Sequence, residues 1–144
     1  MKILPWAAFG STLPDDVIEN EEGTDFIQYG GKSVAEAIAE ILRGLGLQVD
    51  APRNAHERGW ELDIKAGKRP LWCQITLIEE YLFVFEDLSF WDKLLKRQNP
   101  IYVGALRGLA AALAADQRFH NVRWYETGRD AFDEAGAIAP VIDD

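Results

Sequence analysis

The chain has 144 residues, which is enough for one domain with a sizeable core and too few for two domains of ordinary size. Its 48% hydrophobic and 27% charged residues are typical of a globular protein, and no apolar stretch approaches the roughly 18 residues that a membrane helix needs. The net charge of −9 disfavours nucleic acid and anionic membranes as partners, because both are bound through Lys and Arg.

Two further features concern the compartment. The N-terminal apolar stretch is interrupted by Pro5 and is followed by no small-residue cleavage pattern, so we do not expect a signal peptide. Cys73 is the single cysteine of the sequence, which excludes an internal disulfide and fits a reducing environment. Together these features predict a cytoplasmic protein.

Residues 1–31 have weak periodicity and are predicted to form an acidic, weakly structured segment that wraps a single domain spanning residues 1–144. No basic residue lies between Lys2 and Lys32, whereas acidic residues are dense in one stretch: Asp15, Asp16, Glu19, Glu21, Glu22 and Asp25. Such a run is usually a solvated loop, but it can also increase the association rate of a cationic partner. Asp25–Tyr29 is predicted to be a short strand.

A first helix is predicted over about 34–43. Ser33 and Glu36 have the spacing of a capping box, and apolar residues then recur at helical spacing. Residues 30–33 imitate the end of a phosphate-binding loop, but Phe26 occupies the position where the motif requires its first glycine. Nucleotide binding is therefore not predicted, although a helix N-terminus can attract an anion weakly.

The central feature of the sequence is an antiparallel meander. Its strands are three runs rich in β-formers, separated by turns too short to hold a helix, at about 60–65, 71–78 and 81–88. A four-residue loop at 66–69 sets the register of the first pair so that apolar residues face each other: Ile64 with Leu71, Leu62 with Cys73, and Trp60 with Ile75. A slip by one residue would place Glu61 and Asp63 against this apolar row.

The second face of the meander is also apolar, so it must be covered. The third strand offers two sets of apolar residues, either Leu82 and Val84 or Tyr81, Phe83 and Phe85. The set that does not face the core joins Trp72 and Ile78 on the second face. Either other parts of the chain, such as Trp6 and Phe9, cover this face, or it is a homodimer seam or a partner site.

Two helices are predicted after the meander. A capping pattern at Ser89 predicts a short helix over 90–97. Asn99 and Pro100 provide an N-cap and a first helical residue for a helix over about 101–115.

Short strands over Leu47–Asp50 and Val122–Glu126 complete the prediction, and the tail from Gly128 is expected to hold one short helix and then fray. Trp60 and Trp124 are assigned to the core. The predicted fold class is α+β: an antiparallel sheet of about four to six strands around the meander, packed by helices over about 34–43 and 101–115.

Residues that could support catalysis or bind a metal are few. His56, His120 and Cys73 lie far apart in the sequence, so no structural zinc site is expected. Cys73 alternates toward the core, which predicts a buried, inert thiol. Glu79 and Glu80 are adjacent, and adjacent strand residues point to opposite faces. We therefore predict no metal, no cofactor and no enzymatic activity.

Our leading hypothesis is a non-enzymatic protein-binding domain, a small acidic cytosolic protein of bacterial type with a basic or apolar protein partner. Bacterial immunity proteins, which inhibit toxins, share its size, charge and lack of active-site residues as a class. Alternatively, the order of helix, three strands, helix and strand is similar to that of type III secretion chaperones, which implies a dimeric adaptor. The Asn54–Gly59 loop and the predicted helix over 90–97 depart from that pattern. A hydrolase-type enzyme is the third hypothesis.

The predicted partner-binding residues come from the second sheet face, the helix that follows it and the acidic run. They are Trp72, Ile78, Tyr81, Phe83, Phe85, Trp91, Asp15, Asp16, Glu19, Glu21 and Glu22. A homodimer is the other partner considered, whereas nucleic acid and membrane are not expected.

Overall fold

A computed structural model describes residues 1–89 and 99–143 of the chain. Its strands are β1 (Lys2–Ile3), β2 (Trp6–Ser11), β3 (Ile18–Glu19), β4 (Phe26–Gln28), β5 (Gln48–Val49), β6 (Arg53–Asn54), β7 (Trp60–Ala66), β8 (Arg69–Leu77), β9 (Tyr81–Asp87), β10 (Phe119–Tyr125) and β11 (Val141–Ile142). The helices are α1 (Lys32–Gly44), α2 (Pro100–Ala115) and α3 (Asp130–Asp133), with a 3-10 turn at His56–Arg58. Within these ranges, no helix has the length and apolar character needed to span a bilayer.

Seven strands form one antiparallel sheet in the order β10–β2–β9–β8–β7–β5, and β6 also pairs with β7. The predicted α+β class, an antiparallel sheet packed by helices, is confirmed. The sheet has more strands than the four to six expected, because β2 and β6 were not predicted. The two short strands β5 and β6 share one edge of β7, which leaves little exposed backbone for unwanted strand pairing.

The meander and its register are confirmed. Strands β7 and β8 pair Ile64 with Leu71, Leu62 with Cys73 and Trp60 with Ile75. All of these side chains are at most 5% exposed, and they point toward the helices. Trp60 also donates its indole N–H to the carbonyl oxygen of Tyr29 at 3.1 Å, so its polar atom is satisfied within the core.

The turn between β8 and β9 determines which residues of the third strand face the core. Leu77 lies opposite Tyr81 across a three-residue turn, closed by a hydrogen bond from Ile78 N to Glu80 O at 3.1 Å. This register places one apolar set in the core: Tyr81, Phe83 and Phe85. Leu82 and Val84 therefore share the second face with Trp72.

Helices α1 and α2 cover the core face of the sheet. Both contribute stripes of fully buried residues, namely Val34, Ile38 and Leu42 from α1 and Leu106, Leu109 and Leu113 from α2. Each such side chain stabilises the fold by roughly 1.5–3 kcal/mol through removal of apolar surface from water. Trp124, in β10, joins the same core at 1% exposure, so both tryptophans assigned to the core are confirmed there.

The N-terminus of α1 differs from the prediction. The helix begins at Lys32, its N-cap is Gly31 with φ 111°, and Ser33 lies inside the first turn, so the predicted capping box is wrong. A carboxylate from earlier in the chain takes that role, because Asp16 Oδ2 accepts a hydrogen bond from Ser33 N at 2.6 Å. This carboxylate also lies at the end of the helix where an anion would otherwise be attracted.

Helix α2 follows the prediction. Asn99 Oδ1 accepts hydrogen bonds from Ile101 N at 2.8 Å and Tyr102 N at 3.3 Å, and Pro100 is the first helical residue. The predicted helix over 90–97 and its Trp91 lie outside the described residues.

Strand β2 is an interior strand between β10 and β9, although residues 1–31 were expected to be weakly structured. Its small residues Ala7, Ala8 and Gly10 give the sequence no clear strand pattern. In addition, Ala7 and Ala8 are both buried, on opposite faces, so the strand does not alternate between polar and apolar residues. The expected wrapping by residues 1–31 thus does not apply to residues 6–11.

The C-terminal tail is ordered rather than frayed. Helix α3 is the short helix expected after Gly128, and β11 then pairs antiparallel with β1, Ile3 lying opposite Val141. Leu4 N extends this pairing with a 2.7 Å hydrogen bond to Pro140 O. The segments 2–4 and 140–142 are therefore held together.

Gly59 provides a test of the hairpin geometry. It has φ 90° and ψ −122°, and a Cβ atom there would overlap the Ile75 carbonyl oxygen of β8. We expect Gly59→Ala to lower the free energy of unfolding by about 3 kcal/mol or more, because strained backbone and a fixed backbone clash combine. Gly67→Ala, with φ 65° but nothing within 4 Å of a new Cβ, should cost only about 1–2 kcal/mol. Urea denaturation measures both, and equal losses would contradict this account.

The cap from Asp16 is tested by two substitutions that tolerate its φ of 65°. Asp16→Gly removes the acceptor and should destabilise the protein by about 1 kcal/mol, whereas Asp16→Asn keeps an acceptor and should lose clearly less. The exposed Glu22→Gln serves as the control, expected within about 0.5 kcal/mol of wild type. Thermal denaturation with no difference between the two Asp16 variants would show that Asp16 does not cap α1.

Candidate functional site

The second face of the sheet is covered in part by the C-terminal segment, here residues 126–137. Gly128 lies so close to Trp6 that an added Cβ would be 3.0 Å from its ring, and α3 packs on β2 and β10. Phe132, Ala8 and Leu82 border a cavity of about 340 Å³ on this face. The chain itself therefore covers this part of the face, but with its C-terminal segment rather than with Trp6 and Phe9, as predicted. Trp6 lies on the covered face itself, and Phe9 points into the core.

Trp72 lies at the other end of the second face, in polar surroundings. Its indole nitrogen lies 3.4 Å from Glu61 Oε2, as a weak hydrogen-bond donor, and the side chain is half-buried. Glu61 is 6% exposed, and its carboxylate pairs with Arg53 at 2.7 Å. Arg53 also contacts Asp63 at 3.1 Å. Arg53 therefore pairs with two carboxylates, and these charged surroundings make this end of the sheet a poor surface for an apolar partner.

The most exposed apolar side chains near the acidic run lie on a separate two-stranded sheet, β3 paired with β4, which we call the acidic ribbon (residues 18–28). Ile18 is 48% exposed, Phe26 44% and Ile27 68%. The ribbon's carboxylates are also exposed: Glu19, Glu21, Glu22 and Asp25. Over residues 1–89 and 99–143, none of these four carboxylates forms an ion pair.

The acidic ribbon has defined contacts at its base and at its tip. Gln28 Nε2 donates to the Asp16 carbonyl oxygen at 2.6 Å, and the rings of Phe26 and Tyr29 lie 4.9 Å apart. At its tip, Asn20 Oδ1 accepts a hydrogen bond from Thr24 N at 2.9 Å, which closes the turn. The ribbon thus presents its exposed side chains from a defined position.

A second feature is the turn cleft, an opening of about 660 Å³ beside the β8–β9 turn. Its lining includes the residues Leu13, Asp15, Ile78, Glu79, Glu80, Tyr81 and His120. In the part of the chain that the structure describes, Asp15, Glu79 and Glu80 have no counter-ion. The cleft is therefore acidic and open to solvent.

Tyr81 is the buried polar side chain of the turn cleft. It is 4% exposed, and its ring stacks on Phe9 with 5.7 Å between the centroids. Its hydroxyl group has no hydrogen-bond partner among the described residues. Burial, together with the carboxylates of Asp15 and Asp16, raises the pKa of Tyr81, so the phenol stays protonated at neutral pH.

The other polar groups near the cleft do not form a catalytic arrangement. The His120 ring lies over Gly10 and has no hydrogen bond within the described ranges that would orient it. The Ser11 hydroxyl group donates to Arg118 O at 2.8 Å and accepts from Leu13 N at 3.1 Å, so it is already engaged.

The thiol and the potential metal ligands do not come together in one site within the described residues. Cys73 is buried elsewhere in the core, where desolvation raises the pKa of its thiol well above the usual value. Outside residues 90–98 and 144, no group of three or more His, Cys, Asp or Glu side chains is arranged to hold a metal ion.

The structure separates the predicted partner-binding residues into several groups. Phe83 and Phe85 are fully buried and face the helices, so a partner cannot reach them, and the prediction is corrected for these two core residues. Tyr81 is 4% exposed and belongs to the same core, but it also lines the turn cleft. Ile78, at 54% exposed, and Asp15 line the turn cleft.

The acidic run is divided as well. Asp16 caps α1, whereas Glu19, Glu21 and Glu22 belong to the ribbon. Trp91 lies outside the described residues. Sequence reasoning missed Phe26 and Ile27 as exposed residues, because a predicted strand gives no sign that it stays out of the main sheet.

No protein-family model matches the chain, and no characterised protein or solved structure shows significant similarity to it. Its function is therefore inferred from its own residues.

Tyr81 and Tyr102 form a matched pair for testing the unpartnered hydroxyl group. Tyr102 donates its hydroxyl to Phe85 O at 2.6 Å, so Tyr102→Phe should lower the free energy of unfolding by about 1 kcal/mol. Tyr81→Phe removes a hydroxyl without a partner, and stability should be unchanged or slightly higher. Urea denaturation of both variants is the measurement. A loss at Tyr81 as large as that at Tyr102 would mean that its hydroxyl is bonded in the folded protein.

Proposed function

We propose that this chain is a non-enzymatic protein-binding domain that docks a basic protein partner through the acidic ribbon. The observation that supports this most strongly is the combination of Phe26 and Ile27, exposed to solvent, with neighbouring carboxylates that have no counter-ion in the described part of the chain. Apolar area and uncompensated charge on one projecting element are the two features that a basic interface would complement.

The backbone of the acidic ribbon supports the same proposal. A two-stranded ribbon is only marginally stable by itself, so this element gains stability when another surface packs on it. Its two strands pair only with each other in the described structure, which leaves one free edge on each. A free edge can accept a further strand, and the ribbon's side chains would then determine which partner is bound.

The charge of the ribbon favours a heterologous partner over a second copy of the chain. Two ribbons meeting face to face would bring together the same sign of charge, from Glu19, Glu21, Glu22 and Asp25 of each copy. A cationic protein would instead be attracted over a distance and would associate faster at low salt. An inhibitor of a basic partner, as immunity proteins are, is the form of this function that the charge favours; the dimeric adaptor is less well supported.

The hydrolase alternative has weaker support. A pocket with several polar groups exists in the turn cleft, but His120 lacks an orienting partner among the described residues, and the Ser11 hydroxyl is committed to backbone groups. This arrangement favours recognition over acid-base or nucleophilic chemistry.

Site-specific photocrosslinking in the cells that produce the protein tests the proposed function. A benzophenone amino acid at Ile27 should yield a discrete crosslinked protein, whereas the same group at the exposed Lys68, in the β7–β8 turn, should not. The triple variant Glu19→Gln, Glu21→Gln, Glu22→Gln should reduce the yield at Ile27 several-fold, because steering charge is lost.

The matched control removes the same charge elsewhere, through Glu36→Gln, Glu40→Gln and Glu57→Gln, all exposed. Its crosslinking yield at Ile27 should stay close to that of the wild-type sequence. Identical products from positions 27 and 68, or equal losses in both triple variants, would contradict the proposed function.

A further inference from the structure

We propose that the turn cleft receives one basic side chain, an arginine or lysine, from the same protein partner that docks on the acidic ribbon. This inference rests on the proposed function and assigns a specific recognition site to it. The cleft lies at the base of the ribbon, since Asp15 lines it and β3 begins three residues later. One partner surface can therefore contact both features.

Tyr81 brings a hydroxyl group that is unpaired among the described residues to the lining of the cleft, where a ligand can bond to it. A buried polar group without a hydrogen bond is unfavourable, and such groups in folded proteins usually have a partner. Tyr81 lines the turn cleft at 4% exposure and has no partner among the described residues. A protonated phenol offers lone pairs as well as a donor, so an incoming N–H group can bond to it.

The charges in the cleft determine the sign of the ligand. Asp15, Glu79 and Glu80 have no counter-ion within the described residues, and acidic groups accept hydrogen bonds but cannot donate them when ionised. An anion would be repelled. A guanidinium or ammonium group would instead form charge-assisted hydrogen bonds, which are stronger than neutral ones.

Apolar residues in the cleft suit the stem of a long basic side chain. Leu13, Leu77 and Ile78 line the same opening as the carboxylates. Arginine and lysine have apolar methylene stems below a charged end, and they commonly pack the stem on apolar surface while the charge is solvated or paired. The mixed lining thus fits a basic side chain better than a bare inorganic cation.

The walls of the cleft are already fixed before any ligand binds. Asp15 O accepts from Gly31 N at 2.9 Å, and Asp15 Oδ1 accepts from Val17 N at 3.1 Å. The opposite wall is closed by the 3.1 Å hydrogen bond from Ile78 N to Glu80 O. Because these groups are ordered in advance, binding loses little conformational entropy on the protein side.

A peptide titration followed by NMR tests this inference. The probe is acetyl-Gly-Leu-Arg-Leu-Gly-amide, and its control carries citrulline, which has the shape of arginine without the charge. The arginine peptide should shift the backbone amide signals of Glu79, Glu80, Tyr81 and His120 in a saturable way. The citrulline peptide should bind at least about tenfold more weakly, as expected for loss of a charged hydrogen-bond donor.

Variants of the cleft give a second readout. Tyr81→Phe and the double variant Glu79→Gln, Glu80→Gln should each weaken binding of the arginine peptide several-fold. The double variant Glu36→Gln, Glu40→Gln removes the same charge from the exposed surface of α1 and should leave peptide binding nearly unchanged. Equal binding of the two peptides, signal shifts outside the cleft, or cleft variants that behave like the α1 control would each overturn the inference.

The two proposals fail in different ways. If crosslinking at Ile27 depends on the ribbon charges while the peptide leaves the cleft signals unmoved, the cleft inference is wrong and the protein-binding function stands. If free argininamide binds the cleft as tightly as the peptide and Ile27 captures no discrete protein, the cleft recognises a small cation and both proposals are overturned.

Discussion

Strands β2 and β9 are buried on both faces, and the rest of the architecture depends on this double burial. Ala7 and Phe83 belong to the core that includes α1 and α2, and both are 0% exposed. On the opposite face, Ala8 and Val84 are 4% and 1% exposed. Two helices on one side cannot cover both faces of a sheet. The C-terminal segment therefore has a structural role, and the pairing of β1 with β11 holds the chain beyond that segment in position.

The meander could be predicted from sequence because its information is local. Alternation along β7 and a short connecting loop leave one register in which apolar residues face each other, and that register is the observed one. The same holds for α2, whose Asn99 cap is adjacent to the helix that it begins. The prediction failed where the information comes from distant residues. Strand β2 was missed because it has little pattern of its own, and the cap of α1 was wrong because Asp16 provides it from outside the helix.

The candidate site follows the same division. The acidic run was found by composition, but the separate roles of its members depend on tertiary structure. Asp16 stabilises a helix, Asp15 lines a cleft, and Glu19, Glu21 and Glu22 project on a ribbon. Phe83 and Phe85 were predicted to bind a partner but lie in the core. Their direction is determined by the three-residue turn between β8 and β9, whose register could not be derived from the sequence. A pattern of period two identifies the two faces of a strand without identifying which face is covered.

The binding proposal depends on whether the chain itself covers the second face of the sheet. If the chain itself covers the second face, a partner has to bind elsewhere, and the acidic ribbon and the turn cleft are the surfaces proposed for it. Hydrogen–deuterium exchange of the free protein measures this most directly, because amides of a sealed sheet exchange only through global unfolding. The account predicts that amides of β2 and β9 share the slowest exchange, whereas those of the ribbon exchange much faster. Exchange in β9 as fast as in the ribbon would show that the sheet is open on its second face and would contradict the account.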